Sequence, residues 1–345
     1  MQPTISVLMS VYNSSSCLSE TIDSVLAQKL TDFEFLIVDD ASSDNSREIL
    51  QSYSDKRIKL FFNGENRGLT ASLNFLIEKA SGKYLARIDS DDIAMPERFA
   101  KQLAMMEQDS ELLLLGANCV FINEKSELIS GGIPFIAGEK DLDDEFLRWS
   151  FLFPENLIVH SSVMLRSEIL LREGLRYDES QKYAQDIEFW RRLAPYGKFR
   201  ILAEPLIKLR ILDGSITSKK NADQVAVGIS CALRQQIELT GSEPSEERVC
   251  GPRHLLHLYK CFCRQRQSAQ SNIQIREDLA RRFVKEAILA VRKQALSWSD
   301  CLRLLKFSGL SCSELGRAAW GLAAGKLSYL LHEKRKIAQS DNRSR

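Results

Sequence analysis

Lys83-Tyr84-Leu85-Ala86-Arg87-Ile88-Asp89-Ser90-Asp91-Asp92 is a largely apolar run that ends abruptly in three carboxylates, with Pro96 just beyond to open a helix. The run reads as a buried strand that delivers acid to its own tip. Carboxylates this close repel one another unless a cation or a polar ligand compensates them. Hard oxygen ligands suit Mg²⁺ or Mn²⁺, ions that also grip phosphate. The pattern points to a metal-diphosphate site, but an isolated Asp-x-Asp is also what a solvated acidic turn before a helix looks like, so the surrounding chain has to decide.

Upstream, Ile5-Ser6-Val7-Leu8-Met9 is β-prone and is followed by polar Tyr12-Asn13-Ser14-Ser15-Ser16 and a helical pattern through Ile22, Val25 and Leu26. Phe33 to Val38 repeats the strand signal and ends in Asp39-Asp40, after which Ser43 and Asp44 can cap a helix through Ile49 and Leu50. Ile58 to Phe62 reads as a third strand, 63–68 as a turn-rich loop, and Leu69 to Ala80 as the helix that leads into the acidic strand. Strands alternating with helices predict an α/β fold, a mostly parallel sheet covered on both faces, whose ligands lie beyond the carboxyl ends of the strands. Asp39, Asp40, Asp89 and Asp91 all fall at such ends. Neither Gly-x-Gly-x-x-Gly nor Gly-x-x-x-x-Gly-Lys-Ser/Thr occurs, so phosphate would be neutralised by side chains and by a divalent ion on Asp91.

Downstream, Pro96 to Met106 reads as a helix, Leu112 to Leu115 and Asn118 to Ile122 as two strands, and 131–138 as a covering loop. Asn156 to Leu165 reads as a strand carrying His160, either a packed residue or a functional one. Tyr183 to Leu193 reads as a helix in which Asp186 either complements the helix dipole or serves as a general base. Phe189 and Trp190 on that helix are core residues or the floor of a site.

The charge is unevenly divided: residues 1–215 carry 34 Asp/Glu and 24 Lys/Arg, whereas residues 216–345 carry 12 and 23. An acidic region suited to metal precedes a basic one suited to an anionic surface or a solvated helical face. The start of the chain has no basic n-region or small-residue cleavage site, and no stretch reaches 18 uncharged apolar residues, so the expectation is a cytoplasmic protein. The eight cysteines show no paired metal-knuckle spacing, Cys261 and Cys263 being the one close pair.

Taken in order, the segments Ile5 to Asn13, Asp32 to Asn45, Asn66 to Asn74, Lys83 to Arg98, His160 to Arg166 and Asp186 to Leu193 resemble family 2 glycosyltransferases of the bacterial polysaccharide type. The resemblance implies a GT-A fold, a Rossmann-like mixed sheet sandwiched by helices, over residues 1–218. It implies inverting transfer of a sugar from a nucleoside diphosphate, a UDP-sugar by its match at Asp40, onto an acceptor hydroxyl in cell-surface polysaccharide, capsule or lipopolysaccharide assembly. By residue, it implies donor contacts from Ser10, Tyr12, Asp39, Asp40, Asn66, Asp89 and His160, Mg²⁺ or Mn²⁺ on Asp91 and Asp89, and Asp186 as catalytic base. Two departures stand out: Leu212 occupies a position where many relatives carry His, and Gln294-Ala295-Leu296-Ser297-Trp298 has Ser where processive synthases carry Arg. The second departure favours addition of one sugar at a time.

Residues 219–345 read as a helical region, with apolar recurrence at Leu255, Leu258 and Tyr259 and again at Leu279, Phe283, Ile288 and Val291. Leu315 to Leu331 with its flanking basic residues suits a peripheral contact with the inner face of an anionic membrane, where lipid-linked glycan acceptors reside, or a packed terminal helix. No nucleic-acid partner is expected. The alternatives to an active transferase are a non-catalytic sugar-nucleotide binding or scaffold protein and a sugar nucleotidyltransferase. The latter would carry a Gly-rich basic loop where Tyr12 to Ser16 stand.

Overall fold

Alternation along β1 (Ile5–Val11) sets the layering of the sheet. Ile5, Val7, Met9 and Val11 join one core with Leu18, Ile22 and Val25 of α1 (Leu18–Leu26), while Leu8 joins a second core on the opposite face. In β2 (Phe33–Asp39) the pattern repeats, Phe33, Phe35 and Ile37 facing the first core and Leu36 and Val38 the second. The first core takes in Leu50 of α2 (Ser46–Ser52) and Phe99 and Met106 of α4 (Arg98–Gln108). The second takes in Leu73, Leu76 and Ile77 of α3 (Leu69–Lys79), Leu147 of α5 (Asp144–Ser150), Leu170 of α6 (Ser167–Arg172) and Phe189, Trp190 and Leu193 of α7 (Gln185–Leu193). A strand with apolar residues on both faces belongs between two helical layers.

These elements come from a computed structural model, which describes residues 2–129, 140–153, 156–181, 183–212 and 221–241 and scattered positions between 255 and 282. Its eight strands, completed by β3 (Ile58–Phe62), β4 (Tyr84–Arg87), β5 (Ile93–Ala94), β6 (Leu112–Ile122), β7 (Met164–Arg166) and β8 (Lys198–Arg210), lie in the order β3-β2-β1-β4-β7-β6-β8-β5. β1 to β4 are mutually parallel, as the alternation of strands and helices predicts. Beyond β4 the sheet is mixed: β7 runs antiparallel to β4 and β6, β6 parallels β8, and β5 is antiparallel to β8.

Several expectations change. The two strands expected at 112–115 and 118–122 are one, β6, interrupted by register shifts around Asn118 opposite Pro205, where β8 has no N–H to donate. The strand expected over 156–165 is reduced to β7, because His160–Ser162 forms a 3₁₀ turn that swings His160 out of the sheet. The helix after Pro96 begins at Arg98.

The chain divides into two compact units, Met1–Ala232 and Leu233–Arg345. In the second, Leu255, Leu258, Tyr259, Phe262, Ile275 and Leu279 are buried at helical positions, the spacing of one apolar helical face. The expected covering loop, the segment after Leu212, the Gln294 to Trp298 stretch and the basic 315–331 region lie outside the described residues. Among the described residues no helix is long and apolar enough to cross a membrane.

One glycine sets the approach of β4 to β1. A Cβ at Gly82 would stand 2.5 Å from Ser6 N and 2.7 Å from Ile5 C, backbone that cannot yield without moving β1. Gly82→Ala is therefore expected to lower stability by about 1–3 kcal/mol, the range for overpacking, read by urea denaturation. An unchanged midpoint would contradict this packing.

Candidate functional site

β4 carries the acids to the carboxyl edge. After Arg87 the chain stays in the sheet for one residue, Ile88 N donating to Leu8 O (3.1 Å), and then turns through Asp89 to Asp92, whose N donates to Asp89 O (3.3 Å). Carboxylate oxygens of Asp89, Asp91 and Asp92 lie within 4.8 Å of one another. Burial, with the Asp89 charge beside it, pushes the Asp91 carboxyl up to about 6. Burial and both neighbouring acids push Asp92 well above the usual range. Asp89 is paired through both oxygens with the buried Arg87 guanidinium and accepts a hydrogen bond from Ser161 Oγ (3.1 Å). Asp92 Oδ1 accepts from Arg210 N (2.9 Å). Among the described residues no other residue donates a hydrogen bond to the Asp91 carboxylate, which leaves it available to a cation. Three hard-oxygen donors within 4.8 Å of one another fit a small divalent ion.

The loops after β1 and β2 form the adjoining wall. Ser10 is half-buried near the end of β1 and Tyr12, just beyond, is 52 % exposed. Asp39 and Asp40, both buried, have separate tasks. Asp39 takes the Arg47 guanidinium and Ser42 N, while Asp40 accepts from Asn63 Nδ2 (2.7 Å), Arg67 N (2.9 Å) and Gly68 N (2.8 Å). Asp40 thus orders the loop on which exposed Asn66 sits. Ser14 Oγ lies 2.7 Å from Ser90 Oγ, tying the β1 loop to the acidic turn. Asp44 accepts from Ser15 N and Ser46 N, joining the same loop to α2.

Asp186 comes from a distant part of the chain. It is the second residue of α7, two positions after Ala184, which is held at φ +51°, and its Oδ1 accepts from Ile187 N (2.9 Å) and its Oδ2 from Asn156 Nδ2 (2.7 Å). Burial raises its carboxyl above the ordinary value, with Arg87 opposing and Asp89 reinforcing the rise. The His160–Ser162 turn links this carboxylate's helix to the acidic turn, Ser161 Oγ donating to Asp89 and His160 packing on Trp190, one helical turn beyond Asp186. His160 lies in the same neighbourhood: burial, reinforced by Arg87, lowers its imidazole well below the ordinary value. Its Nε2 is 2.8 Å from Tyr177 Oη, and Asn74 fixes Tyr177 by bonding both its N–H and its carbonyl (2.9 Å each). Trp190 and Phe189 are fully buried and also floor this cluster, Trp190 against His160 (5.6 Å between ring centres) and Phe189 against Tyr177 (4.2 Å).

The structure thus gathers Asp89 and Asp91 on the turn after β4, joins them through Ser161 to His160 and the α7 helix that carries Asp186, and places Ser10, Tyr12, Asp39, Asp40 and Asn66 at the end of β1 and on the loops after β1, β2 and β3. Sequence reasoning passed over Arg87, Asn156, Ser161, Tyr177 and Arg210. A signal was present for Arg87, an arginine inside a buried strand two residues before an acid. For the others, the partner is too remote in sequence to be seen.

The family described as Glycosyl transferase family 2 matches residues 6–173. A glycosyltransferase of Methanocaldococcus jannaschii, itself uncharacterised, is 38 % identical over 215 residues, covering 61 % of this chain and 71 % of that protein. The chain belongs to glycosyltransferase family 2. A putative teichuronic acid biosynthesis glycosyltransferase, TuaG of Bacillus subtilis, is 31 % identical over 228 residues, covering 64 % of this enzyme and 83 % of its own length. The S. aureus TarS fragment 1–349, solved in complex with UDP-GlcNAc, superposes with a TM-score of 0.56 at 17 % identity over 81 % of each chain, a likeness of fold. In this transferase the described part of the first unit is accordingly a GT-A-like domain.

Asp44 provides a test of the loop geometry. Burial would raise its carboxyl, but hydrogen bonds from Ser46 and Ser15 outweigh this and lower it from 3.8 to about 2. A lowered folded-state value stabilises the protein above the unfolded value and is lost as pH falls toward the folded one. Asp44→Asn is expected to cost about 1–2 kcal/mol at pH 7, after allowance for partial exposure, and almost nothing near pH 2. Urea denaturation at both pH values checks this; an equal cost at both would refute the assignment.

Proposed function

We propose that this glycosyltransferase moves a hexosyl group from a UDP-sugar to an acceptor hydroxyl during polysaccharide assembly, with inversion at the anomeric carbon. The observation that carries the reading is that one turn, His160–Ser162, meets both acids' elements: Ser161 Oγ donates to Asp89 beyond β4, and His160 packs on Trp190 of α7, one helical turn beyond Asp186. Asp186 is the base: its carboxylate takes the acceptor's O–H proton as the acceptor oxygen bonds to C1 of the sugar, on the face opposite the diphosphate. The C1–O bond to the diphosphate breaks as the new bond forms, and the nucleotide departs with the electron pair. Asn156 orients the base, and burial keeps its proton affinity closer to working pH than that of an exposed aspartate.

Asp91 would hold Mg²⁺ or Mn²⁺, with Asp92 and Asp89 beside it, and the bound cation would offset charge building on the leaving diphosphate. Ser10, Tyr12 and the loops ordered by Asp39 and Asp40, including Asn66, form the nucleotide wall, and His160 lines the sugar side. A uridine donor is supported by the UDP-GlcNAc complex of TarS, and a polysaccharide acceptor by the teichuronic acid assignment of TuaG. We assign catalysis to residues 1–218 and propose that the basic residues of 219–345 bring the enzyme to the inner membrane face and its lipid-linked acceptor.

Asp186→Asn keeps the shape of the site and removes the base. It is expected to slow transfer by about 10²–10⁴-fold while leaving UDP affinity unchanged, measured by nucleotide release and by titration calorimetry. Parallel loss of both would contradict its role as base.

A further inference from the structure

Arg210 ends β8 with its side chain 1 % exposed, and its polar atoms reach three separate parts of the chain. Nε donates to the carbonyl of Asp91 (2.8 Å). Nη1 donates into the turn after β6, to Asn123 O (3.1 Å), Glu124 O (3.2 Å) and Ser126 Oγ (2.9 Å), and Nη2 donates to Glu20 Oε2 on α1 (2.6 Å). Its backbone N–H meets Asp92 Oδ1. Ser126, held at φ +63°, donates its hydroxyl to the same Glu20 oxygen (2.6 Å). The helix that carries Glu20 also grips the preceding residue of the acidic turn, Thr21 Oγ1 donating to Ser90 O (3.0 Å).

We propose that Arg210 is a positioning residue for the cation site: with Glu20 and Ser126 it brackets the Asp91 peptide to α1, so that the Asp91 carboxylate is presented ready-oriented beside the nucleotide loop that leads into α1. The inference rests on the metal-dependent donor reading above. Its physical warrant is a conflict of signs. A buried positive charge beside three carboxylates opposes the entry of another cation, so on charge alone Arg210 is a liability at this position. Its value lies in geometry, since a planar fork reaches the Asp91 carbonyl, the 123–126 turn and Glu20 at once, which the single nitrogen of lysine cannot do. Outer partners that orient a ligand govern affinity even though they never touch the ion.

The two roles predict opposite outcomes for Mn²⁺ binding by the full chain, followed by the electron paramagnetic resonance signal of free Mn²⁺ with and without UDP. If Arg210 positions Asp91, Arg210→Gln and Arg210→Lys weaken binding by about 10–100-fold, although the first removes a repelling charge and the second keeps it. Glu20→Ala, at a half-exposed residue that does not touch the acids, weakens binding in the same direction by a smaller factor. Glu48→Ala, which removes an equal charge from exposed α2 surface, leaves it unchanged. Circular dichroism identifies any variant that fails to fold, in which case Glu20→Ala against Glu48→Ala decides. Equal or tighter Mn²⁺ binding by folded Arg210→Gln, or equal binding by Glu20→Ala and wild type, overturns the bracket while leaving the metal site standing. Failure of the wild type to bind Mn²⁺ even with UDP overturns the metal reading and the bracket with it.

Discussion

The buried guanidinium of Arg87 is the interaction on which the site depends. It pairs with both oxygens of Asp89, donates to Ser161 Oγ, and acts electrostatically on Asp91, His160, Tyr177 and Asp186. Breaking a buried pair by deleting one partner leaves an uncompensated charge, which is far more costly than the pair is favourable. Arg87 is itself fixed from beneath: Arg98 Nη2 donates to its carbonyl (2.8 Å) and to that of Val163 (3.2 Å), and Gln102 carries the chain of bonds on to Leu115 and Ser162. Through these contacts α4 joins the end of β4, the body of β6 and the chain entering β7, and the acids inherit the rigidity of the sheet.

Strain collects in the same place. The four non-glycine residues with positive φ among the described residues are Asn13, Ala41, Ser126 and Ala184. They follow β1, follow β2, sit in the turn gripped by Arg210, and precede Asp186. Such conformations cost energy and persist only where surrounding bonds over-determine them, as Asn13 illustrates by accepting from Ser43 N and donating its own N–H to Ser42. The backbone is bent where loops must turn sharply to bring side chains to one edge.

How much of this was legible in the sequence depended on how local each feature is. β1 to β4 and the helices between them could be read because apolar runs, caps and turn residues lie within a few positions of each other, and the strand-end rule then located Asp39, Asp40, Asp89 and Asp91. β8 escaped because Pro205 and its charged residues break the strand pattern, a break tolerated where β6 shifts register. Only the end of the 156–165 segment is strand, because a β-branched apolar run does not reveal that His160–Ser162 closes its hydrogen bonds in a 3₁₀ turn. The pairings of Asn156 with Asp186, Asn74 with Tyr177, and Glu20 with Arg210 join residues 30, 103 and 190 positions apart, which no local pattern encodes.

The central claim is that the acidic turn and the α7 carboxylate form one donor site. The most direct measurement is thermal stability and nucleotide release for the full chain with UDP-, GDP- and dTDP-sugars, in the presence of Mn²⁺ or Mg²⁺ and again in EDTA. The account predicts that a UDP-sugar raises the melting temperature only when the cation is present and slowly releases UDP. A folded protein that no sugar nucleotide stabilises with either cation would contradict it.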